Sequence, residues 1–256
     1  MKEINYLLGY TNLKIVQDKE MFKFSLDSIL LPNFATINKR YKNILDIGTG
    51  NAPILLVLST KTKANLVGVE IQEEAYNLAC ESVKMNNLDN QITLINLDIK
   101  DYAKGDITEY YDSILCNPPY FPYLTSSEVN KNDLKTLARH EKSLTLEDII
   151  KISRKLLKNN GNLAFVHRPD RLVDIITLMR ANNIEPKRIQ FVYPKEGKDA
   201  NILLVEGTKN GAPGIKILEP LYVYDNNGEY TDKIKKYFEW GDLCHKKVMI
   251  ILQLFI

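Results

Sequence analysis

The central part of the chain alternates between short apolar segments and longer segments with helical periodicity. Residues 53–60 and 73–85 have the spacing and length of helices, and each follows a short apolar run. Apolar runs of this kind predict strands over Asn43–Ile47, Asn65–Glu70, Gln91–Asn96, Tyr111–Cys116 and Asn162–His167. Strands that are separated by helix-length segments pair in parallel through right-handed crossovers. The pattern therefore predicts an α/β fold with a mostly parallel sheet.

The following part of the chain continues with two predicted helices. Thr145 and Asp148 have the spacing of a capping box, with aspartate in place of the usual glutamate or glutamine, and they predict a helix to about Lys158. Residues 159–161, Asn-Asn-Gly, tolerate left-handed backbone and are expected to end this helix. The next helix is predicted over Pro169–Ala181, because proline suits the first helical turn.

Two further strands are predicted, over Arg188–Tyr193 and Asn201–Glu206, and the polar residues 194–200 join them. A link this short cannot connect parallel strands, so one of the two strands is expected to run antiparallel to the rest of the sheet. Beyond them, Leu221–Tyr224 is a candidate terminal strand. The apolar tail Val248–Ile256 is expected to pack on the body of the protein rather than to enter a membrane.

A small unit precedes the alternating part of the chain. Asn12–Val16 and Met21–Phe24 flank four polar residues and predict a β-hairpin. Leu26–Ala35 predicts a helix, with Ser25 as its cap. We therefore expect an N-terminal hairpin and helix unit, a main domain and a C-terminal extension, over residues 1–40, 41–208 and 209–256.

Composition and charge narrow the function only a little. The 256 residues include 34 Lys or Arg and 32 Asp or Glu, so the net charge of +2 neither requires nor excludes a nucleic-acid partner. Cys80, Cys116 and Cys244 lack the paired spacing of a metal site. No segment has the apolar length of a signal peptide or a membrane span. We expect a reduced, cytoplasmic protein without a metal or a membrane partner, and the sequence sets no oligomeric state.

A glycine turn follows the first predicted strand of the main domain. Residues 45–50, Leu-Asp-Ile-Gly-Thr-Gly, run from a strand into a turn where Gly48 and Gly50 let a ligand approach the backbone. By itself this motif also fits dinucleotide sites, nucleoside sites and ordinary tight turns. Asp46 favours a cationic ligand over a dinucleotide, because a carboxylate beside the turn would repel a pyrophosphate and attract a cation. S-adenosylmethionine, with its ammonium and sulfonium groups, fits this charge.

Acidic residues follow the next two predicted strands. Glu70 ends the second strand, 20 positions after Gly50, where a carboxylate can accept from both hydroxyls of a ribose. Asp98 follows the third strand beside Ile99, where an acid and an aliphatic side chain could frame an adenine ring. Ala52 stands where a third glycine would be and slightly restricts the approach of the following helix. The predicted cofactor-binding residues are Asp46, Gly48, Gly50, Asn51, Glu70, Ile71, Asp98, Ile99 and Asn117.

A second motif, Cys-Asn-Pro-Pro-Tyr-Phe over residues 116–121, begins where a buried strand must end. Pro118 and Pro119 donate no backbone hydrogen bond, and they favour extended backbone in the residues before them. The stiff bend presents bare carbonyl groups beside the Asn117 amide, and together they can accept the hydrogens of an exocyclic amino group. A proline turn that only closes a strand would have the same sequence. The glycine turn upstream favours the amino-group site.

The order of these motifs resembles that of the amino methyltransferases with a Rossmann-like fold, over roughly residues 40–206. Flanking segments resemble, more narrowly, the tRNA(Val) adenine-N6 methyltransferases, which modify the adenine at position 37 beside the anticodon. These segments are residues 24–31 (Phe-Ser-Leu-Asp-Ser-Ile-Leu-Leu), 138–141 (Ala-Arg-His-Glu) and 201–207 (Asn-Ile-Leu-Leu-Val-Glu-Gly). Beyond about Tyr230 the chain follows no pattern of this family. The resemblance implies an S-adenosylmethionine-dependent enzyme that methylates N6 of an adenine in tRNA.

The resemblance also implies roles for individual residues. Asn117 and Pro118 would accept the two amino hydrogens, so that the nitrogen lone pair turns toward the methyl group and positioning supplies most of the rate. Tyr120 would stack on the base. Independently of the resemblance, the loop over residues 122–142 has a basic character that suits phosphate contacts, and a solvated loop with incidental charge would have the same composition. Its basic residues are Lys131, Lys135, Arg139 and Lys142. The predicted catalytic residues are Asn117, Pro118, Pro119 and Tyr120, and the predicted substrate-binding residues are Tyr120, Lys131, Lys135, Arg139 and His140.

Other functions fit parts of the sequence. A protein glutamine N5-methyltransferase also uses the Asn-Pro-Pro-Tyr motif, but that family carries a substantial helical domain before the cofactor-binding fold. A DNA adenine methyltransferase usually needs a sizeable target-recognition region, and an rRNA substrate is a further alternative. An NAD-dependent oxidoreductase is disfavoured by Asp46 and by the proline motif. A catalytically silent RNA-binding scaffold is disfavoured by the intact proline motif.

Overall fold

The computed structural model describes residues 2–10, 12–18, 25–118 and 144–238. A separate hairpin is formed by β1 (Lys2–Tyr6) and β2 (Lys14–Asp18). The main sheet contains β3 (Asn43–Ile47), β4 (Asn65–Glu70), β5 (Ile92–Asn96), β6 (Tyr111–Cys116), β7 (Leu157–His167), β8 (Ile184–Tyr193), β9 (Ile202–Lys209), β10 (Lys216–Ile217) and β11 (Leu221–Tyr222). The helices are α1 (Asp27–Phe34), α2 (Pro53–Lys61), α3 (Glu73–Met85), α4 (Ile99–Tyr102), α5 (Leu146–Leu156), α6 (Leu172–Ala181) and α7 (Asp232–Tyr237), with a 3₁₀ turn over Pro169–Arg171.

The main sheet has the strand order β10-β8-β9-β7-β6-β3-β4-β5, and β11 also pairs with β8. Strands β3 to β7 are parallel neighbours, and β9 runs antiparallel to both β7 and β8. The predicted α/β class, the parallel sheet and its antiparallel strand are therefore confirmed. Since β3 lies between β4 and β6, its residues are buried along its whole length.

Two apolar clusters cover the two faces of this sheet. Alternate strand positions point to opposite faces, and Ile44 accordingly belongs to one cluster while Leu45 belongs to the other. Helices α1, α2, α3 and α7 contribute buried side chains to the first cluster, and α4, α5 and α6 contribute to the second. The sheet is thus the middle layer of three, and its two ends remain as places where loops can form a site.

The N-terminal hairpin differs from the prediction. Strand β2 pairs antiparallel with Lys2–Tyr6, which precedes it, and the predicted partner Met21–Phe24 lies outside the described residues. The turn between the strands has Gly9 at a φ of 79°, and its main chain closes through a 2.8 Å bond from the Leu7 nitrogen to the Leu13 carbonyl. The prediction overlooked β1 because its Ile4 and Tyr6 are exposed and add no apolar run.

The connection from α5 to β7 is shorter than predicted. The capping box of Thr145 and Asp148 is present and starts α5 as expected. The helix ends at Leu156, however, and the strand starts at once with Leu157, which pairs with Tyr111. The expected turn residues 159–161 lie in a bulge of that strand, with Asn160 at a φ of 61°. Turn-forming residues therefore interrupt a strand here instead of ending a helix.

The C-terminal residues pack on the main sheet up to residue 238. The predicted strand Leu221–Tyr224 is present as Leu221–Tyr222, which pairs in parallel with β8. Helix α7 was not predicted, and its Ile234 joins the same apolar cluster as α1. The tail Val248–Ile256 lies outside the described residues, and the proposed domain boundaries stay a prediction. Within the described ranges, no helix combines the length and apolar character needed to cross a membrane.

Candidate active site

The carboxyl ends of the parallel strands bring the predicted motifs to one edge of the sheet. Ile47 on β3 and Cys116 on β6 are paired partners, so the glycine turn and the proline motif start side by side. Val69 on β4 is in turn the partner of Ile47, which places Glu70 next to the glycine turn on its other side. Segments far apart in the sequence therefore meet at the carboxyl edge of the sheet, as ligand sites of open α/β sheets do.

The glycine turn leaves open space above its backbone. Gly48 and Gly50 have φ angles of 69° and 57°. Residues other than glycine adopt such angles only with strain. A β-carbon built at either position would meet no atom within 4 Å. The Gly48 nitrogen donates to the Val69 carbonyl at 2.9 Å and fixes the turn to β4. The turn is thus rigid at its base and accessible to a ligand above it.

Asp46 lies beneath the turn with an unsatisfied oxygen. Its side chain is fully buried, and its Oδ2 atom accepts a 2.7 Å hydrogen bond from the Thr49 hydroxyl. The Oδ1 atom has no hydrogen-bond partner within the described residues. Burial raises the pKa of Asp46 to about 7, the Thr49 hydrogen bond opposes this rise, and the charge of Glu70 adds to it. A cationic group at the turn would supply the missing donor or positive charge.

Glu70 braces the glycine turn from the neighbouring strand. Its buried carboxylate accepts 2.9 Å hydrogen bonds from the backbone nitrogens of Gly50 and Gln72. An ionised carboxylate offers about four acceptor positions, so capacity remains for ribose hydroxyls. The sequence indicated the ribose role but not the bond to Gly50, which joins residues 20 positions apart.

A narrow cleft with an apolar rim adjoins the glycine turn. Ile71 and Leu97 are unusually exposed for their type, at 53% and 41%, and aliphatic side chains in this position can pack on the face of a flat ring. Asp98 caps α4 by accepting from the Lys100 nitrogen at 2.8 Å. The cleft, of about 50 Å³, is lined by Gly48, Val69, Ile71, Leu97, Asp98, Ile99 and Leu144. Leu97 and Leu144 were not predicted, since neither belongs to a motif.

The Asn51 side chain has a different environment from the other predicted cofactor residues. Its amide nitrogen donates to the Val16 carbonyl at 2.9 Å, and the residue is buried. Asn51 therefore ties the N-terminal hairpin to the glycine turn. Its side-chain nitrogen is committed to the hairpin, and a role in cofactor binding stays a prediction.

Asn117 is held by a helix that precedes the main sheet in the sequence. Its amide nitrogen donates to the Ser28 hydroxyl of α1 at 3.2 Å, and Ser28 is buried. Pro118 follows at the surface of the same edge and is half-buried. The contact with Ser28 was not predicted, although Ser28 belongs to a segment that carried the family resemblance.

The other predicted residues of the proline motif and the basic segment lie outside the described residues. They are Pro119, Tyr120, Lys131, Lys135, Arg139 and His140. His167 is buried at the end of β7, where its Nδ1 accepts from the Arg168 nitrogen at 2.8 Å. Burial lowers its pKa to about 4. The part of the chain that the structure covers contains no cluster of metal-ligating side chains.

A larger cleft lies at the same edge, on the far side of Asn117 from Glu70. It has a volume of about 480 Å³ and is lined by Asp27, Arg168, Pro169, Asp170, Ala200, Asn201 and Ile202. Asp27 directly precedes Ser28, the residue that contacts Asn117, so the start of α1 links this cleft to the proline motif. The carboxyl edge of the sheet therefore carries a glycine-turn region and a second cleft, and the end of β6 lies between the strands that form them.

Solved structures of similar fold are methyltransferases and related proteins. The Agrobacterium tumefaciens protein Atu636, described as a predicted O-methyltransferase, has a TM-score of 0.67 and 19% identity, over 83% of this chain and 95% of that one. TYW2 of M. jannaschii in complex with AdoMet has a TM-score of 0.53 and 15% identity, over 81% and 84% of the two chains. At these identities the likeness confirms the Rossmann-like methyltransferase fold.

Sequence comparison gives the family. The methyltransferase small domain family matches residues 24–180. A tRNA1(Val) (adenine(37)-N6)-methyltransferase of Parabacteroides distasonis is 31% identical over 203 residues, which are 79% of this chain and 83% of that protein. The protein of the same description from Bacteroides thetaiotaomicron is 28% identical over 238 residues, 91% of this chain and 98% of that protein. The chain therefore belongs to the methyltransferase small domain family and, within it, to the tRNA1(Val) (adenine(37)-N6)-methyltransferases.

Proposed function

We propose that this protein transfers a methyl group from S-adenosylmethionine to the N6 amino group of an adenine in tRNA, at position 37 beside the anticodon. The observation that carries the proposal is the pairing of Ile47 with Cys116. Because these residues are neighbours, a cofactor-binding glycine turn and the Asn117 amide emerge side by side. Family membership supports the same reaction, since relatives over most of the chain carry this activity in their names.

The residues around the glycine turn fit the parts of S-adenosylmethionine. The unsatisfied oxygen of buried Asp46 fits a cationic methionine portion, and the open backbone of Gly48 and Gly50 gives it room. We assign the Glu70 carboxylate to accept from the ribose hydroxyls, because about two acceptor positions remain beside its bonds to Gly50 and Gln72. Asp98 and the apolar rim formed by Ile71 and Leu97 fit the adenine ring. When bound, the cofactor supplies an electrophilic methyl group on a sulfonium centre.

Asn117 and Pro118 act on the amino group of the substrate. An aromatic amine is a poor nucleophile, because its lone pair is delocalised into the ring. The side-chain oxygen of Asn117 and the carbonyl of Pro118 accept the two amino hydrogens, which holds the nitrogen and directs its lone pair toward the donor. Positioning and electrostatic complementarity of this kind supply the rate, and the proton leaves to solvent after transfer. From its place in the sequence, Tyr120 is assigned to stack on the base.

A single-stranded loop of tRNA suits this site better than a duplex. The target base must leave its stack to reach Asn117, and a loop base costs less to extrude than a paired one. The basic residues Lys131, Lys135 and Arg139, with His140, are proposed to contact the RNA backbone. A tRNA substrate also supports the expected cytoplasmic location.

A comparison of substrates tests the proposal. Purified protein is incubated with labelled S-adenosylmethionine and, in parallel, an unmodified tRNA1(Val) transcript, the same transcript with guanine at position 37, a DNA duplex and a glutamine-bearing peptide. We expect label in N6-methyladenosine from the first transcript alone. Label in the duplex or the peptide, with none in the adenine-containing tRNA, would show that the fold is right and the substrate is wrong.

A further inference from the structure

The cleft of about 480 Å³ beside Asn117 has no role in the cofactor assignment. The cofactor residues follow β3, β4 and β5, whereas this cleft is formed where β7 ends and β9 begins. His167 and Leu203 are paired partners at this point, so the segments that follow one strand and precede the other lie together. A volume of this size is within the range of about 300–1,000 Å³ that is usual for small-molecule sites.

Asn117 lies between the glycine turn and this cleft. Strand β6, which ends at Cys116 directly before Asn117, has β3 on one side and β7 on the other. The helix residue Asp27 lines the cleft, and its neighbour Ser28 contacts the Asn117 amide. A methyl donor on the glycine-turn side therefore has its acceptor on the side of the cleft.

The lining combines a cation, an amide and apolar surface. Arg168 is 47% exposed, and its only described ion pair, with the 48% exposed Asp170, is long at 3.5 Å. Such a pair between exposed groups contributes little, and a guanidinium has five N–H donors with which to bind a phosphate. Asn201 is exposed and offers amide donors and an acceptor. Pro169 and Ile202 supply apolar wall.

The acid in the cleft determines how a nucleotide would be oriented. Asp27 is the first residue of α1 and is a buried part of the cleft lining, and an acidic side chain disfavours a phosphate beside it. The phosphate is therefore favoured beside the exposed Arg168, and the uncharged base is favoured on the side of α1, whose Ser28 contacts Asn117.

We propose that this cleft receives the target adenosine nucleotide of the RNA, with Arg168 as the phosphate contact and Asn201 as a hydrogen-bonding contact to its sugar or base. This assignment rests on the proposed function, since it takes an RNA as the substrate. It adds two residues to the substrate-binding set. Arg168 belongs to no motif, and Asn201 starts a segment that carried the family resemblance but had no role assigned to it.

The test compares Arg168→Ala, Asn201→Ala and Arg168→Lys with the control Arg180→Ala. Arg180 pairs with Glu185 at 3.3 Å where α6 leads into β8, at the opposite edge of the sheet, so the control removes an equal charge away from the cleft. Binding of an unmodified tRNA1(Val) transcript is measured by fluorescence anisotropy with S-adenosylhomocysteine present, over a range of salt concentrations. Cofactor affinity is measured by calorimetry, and methylation is followed separately.

We expect Arg168→Ala to weaken tRNA binding about tenfold and to lower the salt slope by about one unit, as the loss of one phosphate contact does. Asn201→Ala should weaken tRNA binding without changing the salt slope. Arg168→Lys keeps the positive charge, so its salt slope should equal that of the wild type. Cofactor affinity should not change in any variant, and Arg180→Ala should bind tRNA like the wild type.

Wild-type tRNA affinity and salt slope in Arg168→Ala and Asn201→Ala would overturn the assignment, whatever the methylation result. Wild-type protein that binds tRNA through Arg168 but forms no N6-methyladenosine would instead overturn the proposed function and retain the cleft as an RNA site. Wild-type protein that binds no tRNA would overturn both.

Discussion

The Asn117 side-chain nitrogen donates a hydrogen bond to the Ser28 hydroxyl at 3.2 Å, across 89 positions of sequence. The nitrogen and oxygen of an amide point in different directions, so this contact determines which of them faces α1. The hydrogen bond engages the amide nitrogen and not the oxygen, and the oxygen is the atom that we propose to accept from a substrate. Helix α1 therefore orients the Asn117 amide, which we propose accepts a hydrogen bond from the substrate amino group.

The segment directly after helix α1 is fixed to the sheet through a buried carboxylate. Glu206 on β9 is buried and accepts from the nitrogen and the hydroxyl of Thr36, at 2.6 and 2.7 Å. Arg188 donates to the same carboxylate at 2.9 Å, and its guanidinium carbon lies 4.7 Å from the centroid of the Phe34 ring. The segment that follows α1 is therefore held from both its backbone and its side chains, which gives Ser28 a rigid support.

Ser28→Ala should lower kcat while leaving cofactor affinity unchanged. A single hydrogen bond contributes about 0.5–1.5 kcal/mol, so we expect a loss of about two- to tenfold in turnover. Steady-state kinetics with tRNA and calorimetry with S-adenosylhomocysteine provide the measurements. Ser25→Ala is the matched control, because Ser25 is an exposed serine of the same segment. Equal turnover in Ser28→Ala and Ser25→Ala would contradict the orienting role of Ser28.

Glu70→Gln should weaken cofactor binding although the side chain keeps its size. The carboxylate accepts from two backbone nitrogens, and an amide can accept from only one while it presents a donor to the other. Hydrogen bonds to charged groups contribute about 1.5–3 kcal/mol, so affinity should fall by about ten- to a hundredfold. Calorimetry measures this fall. Glu73→Gln, at the exposed start of α3, should have little effect, and an unchanged affinity in folded Glu70→Gln would contradict the assignment.

Asp46 should make the unliganded protein less stable as the pH rises toward neutrality. Burial raises the pKa of its carboxyl from 3.8 to about 7. Between these values the folded chain binds a proton that the unfolded chain has lost, so the stabilisation is complete below about pH 4 and is lost as the pH rises through 7. Asp46→Asn should flatten this part of the stability curve, by an amount on the order of a few kcal/mol. Chemical denaturation from pH 4 to pH 8 compares the two proteins, and parallel curves would refute the buried, protonated state.

The affinity for S-adenosylmethionine should increase with pH over the same window. A cationic ligand favours the ionised form of Asp46, so binding should strengthen by up to about tenfold per pH unit below 7 and level off above it. His167 does not contribute, because burial lowers its pKa to about 4. Calorimetry at a series of pH values tests this, with Asp46→Asn as the variant that should bind more weakly and without the pH dependence. A wild-type affinity that stays constant with pH would show that the ionisation of Asp46 is not linked to ligand binding.

The sequence predicted the parts of the fold that depend on local patterns. The bounds of β3, β4, α3 and β6 agree with the expectation, because each is a periodic run between residues that end a strand or a helix. Strand β1 was overlooked, since its pairing with β2 depends on a partner rather than on an apolar run of its own. The bulge at Asn160 looked like the end of a helix for the same reason, because only pairing with β6 makes it part of a strand.

The candidate site was predictable where a motif marks the end of a strand. Asp46, Glu70 and Asn117 lie at the same edge as expected, because parallel strands bring their carboxyl ends together. Contacts between distant segments were not predictable. The bond from Asn117 to Ser28 and the cleft formed around Arg168 both depend on how separate elements pack, and neither has a local sequence pattern.

The most direct test of the account is the amount and position of N6-methyladenosine formed in an unmodified tRNA1(Val) transcript by wild-type protein and by Asn117→Ala. Both proteins are supplied with saturating S-adenosylmethionine, and the product is digested and mapped by mass spectrometry. We predict one methyl group, on the adenine at position 37, with wild-type protein. Turnover by Asn117→Ala should collapse while its cofactor affinity stays near normal, because the lost acceptor matters most as the amino nitrogen reacts. Near-normal turnover by Asn117→Ala, or a wild-type product methylated elsewhere than at an adenine amino group, would contradict the account.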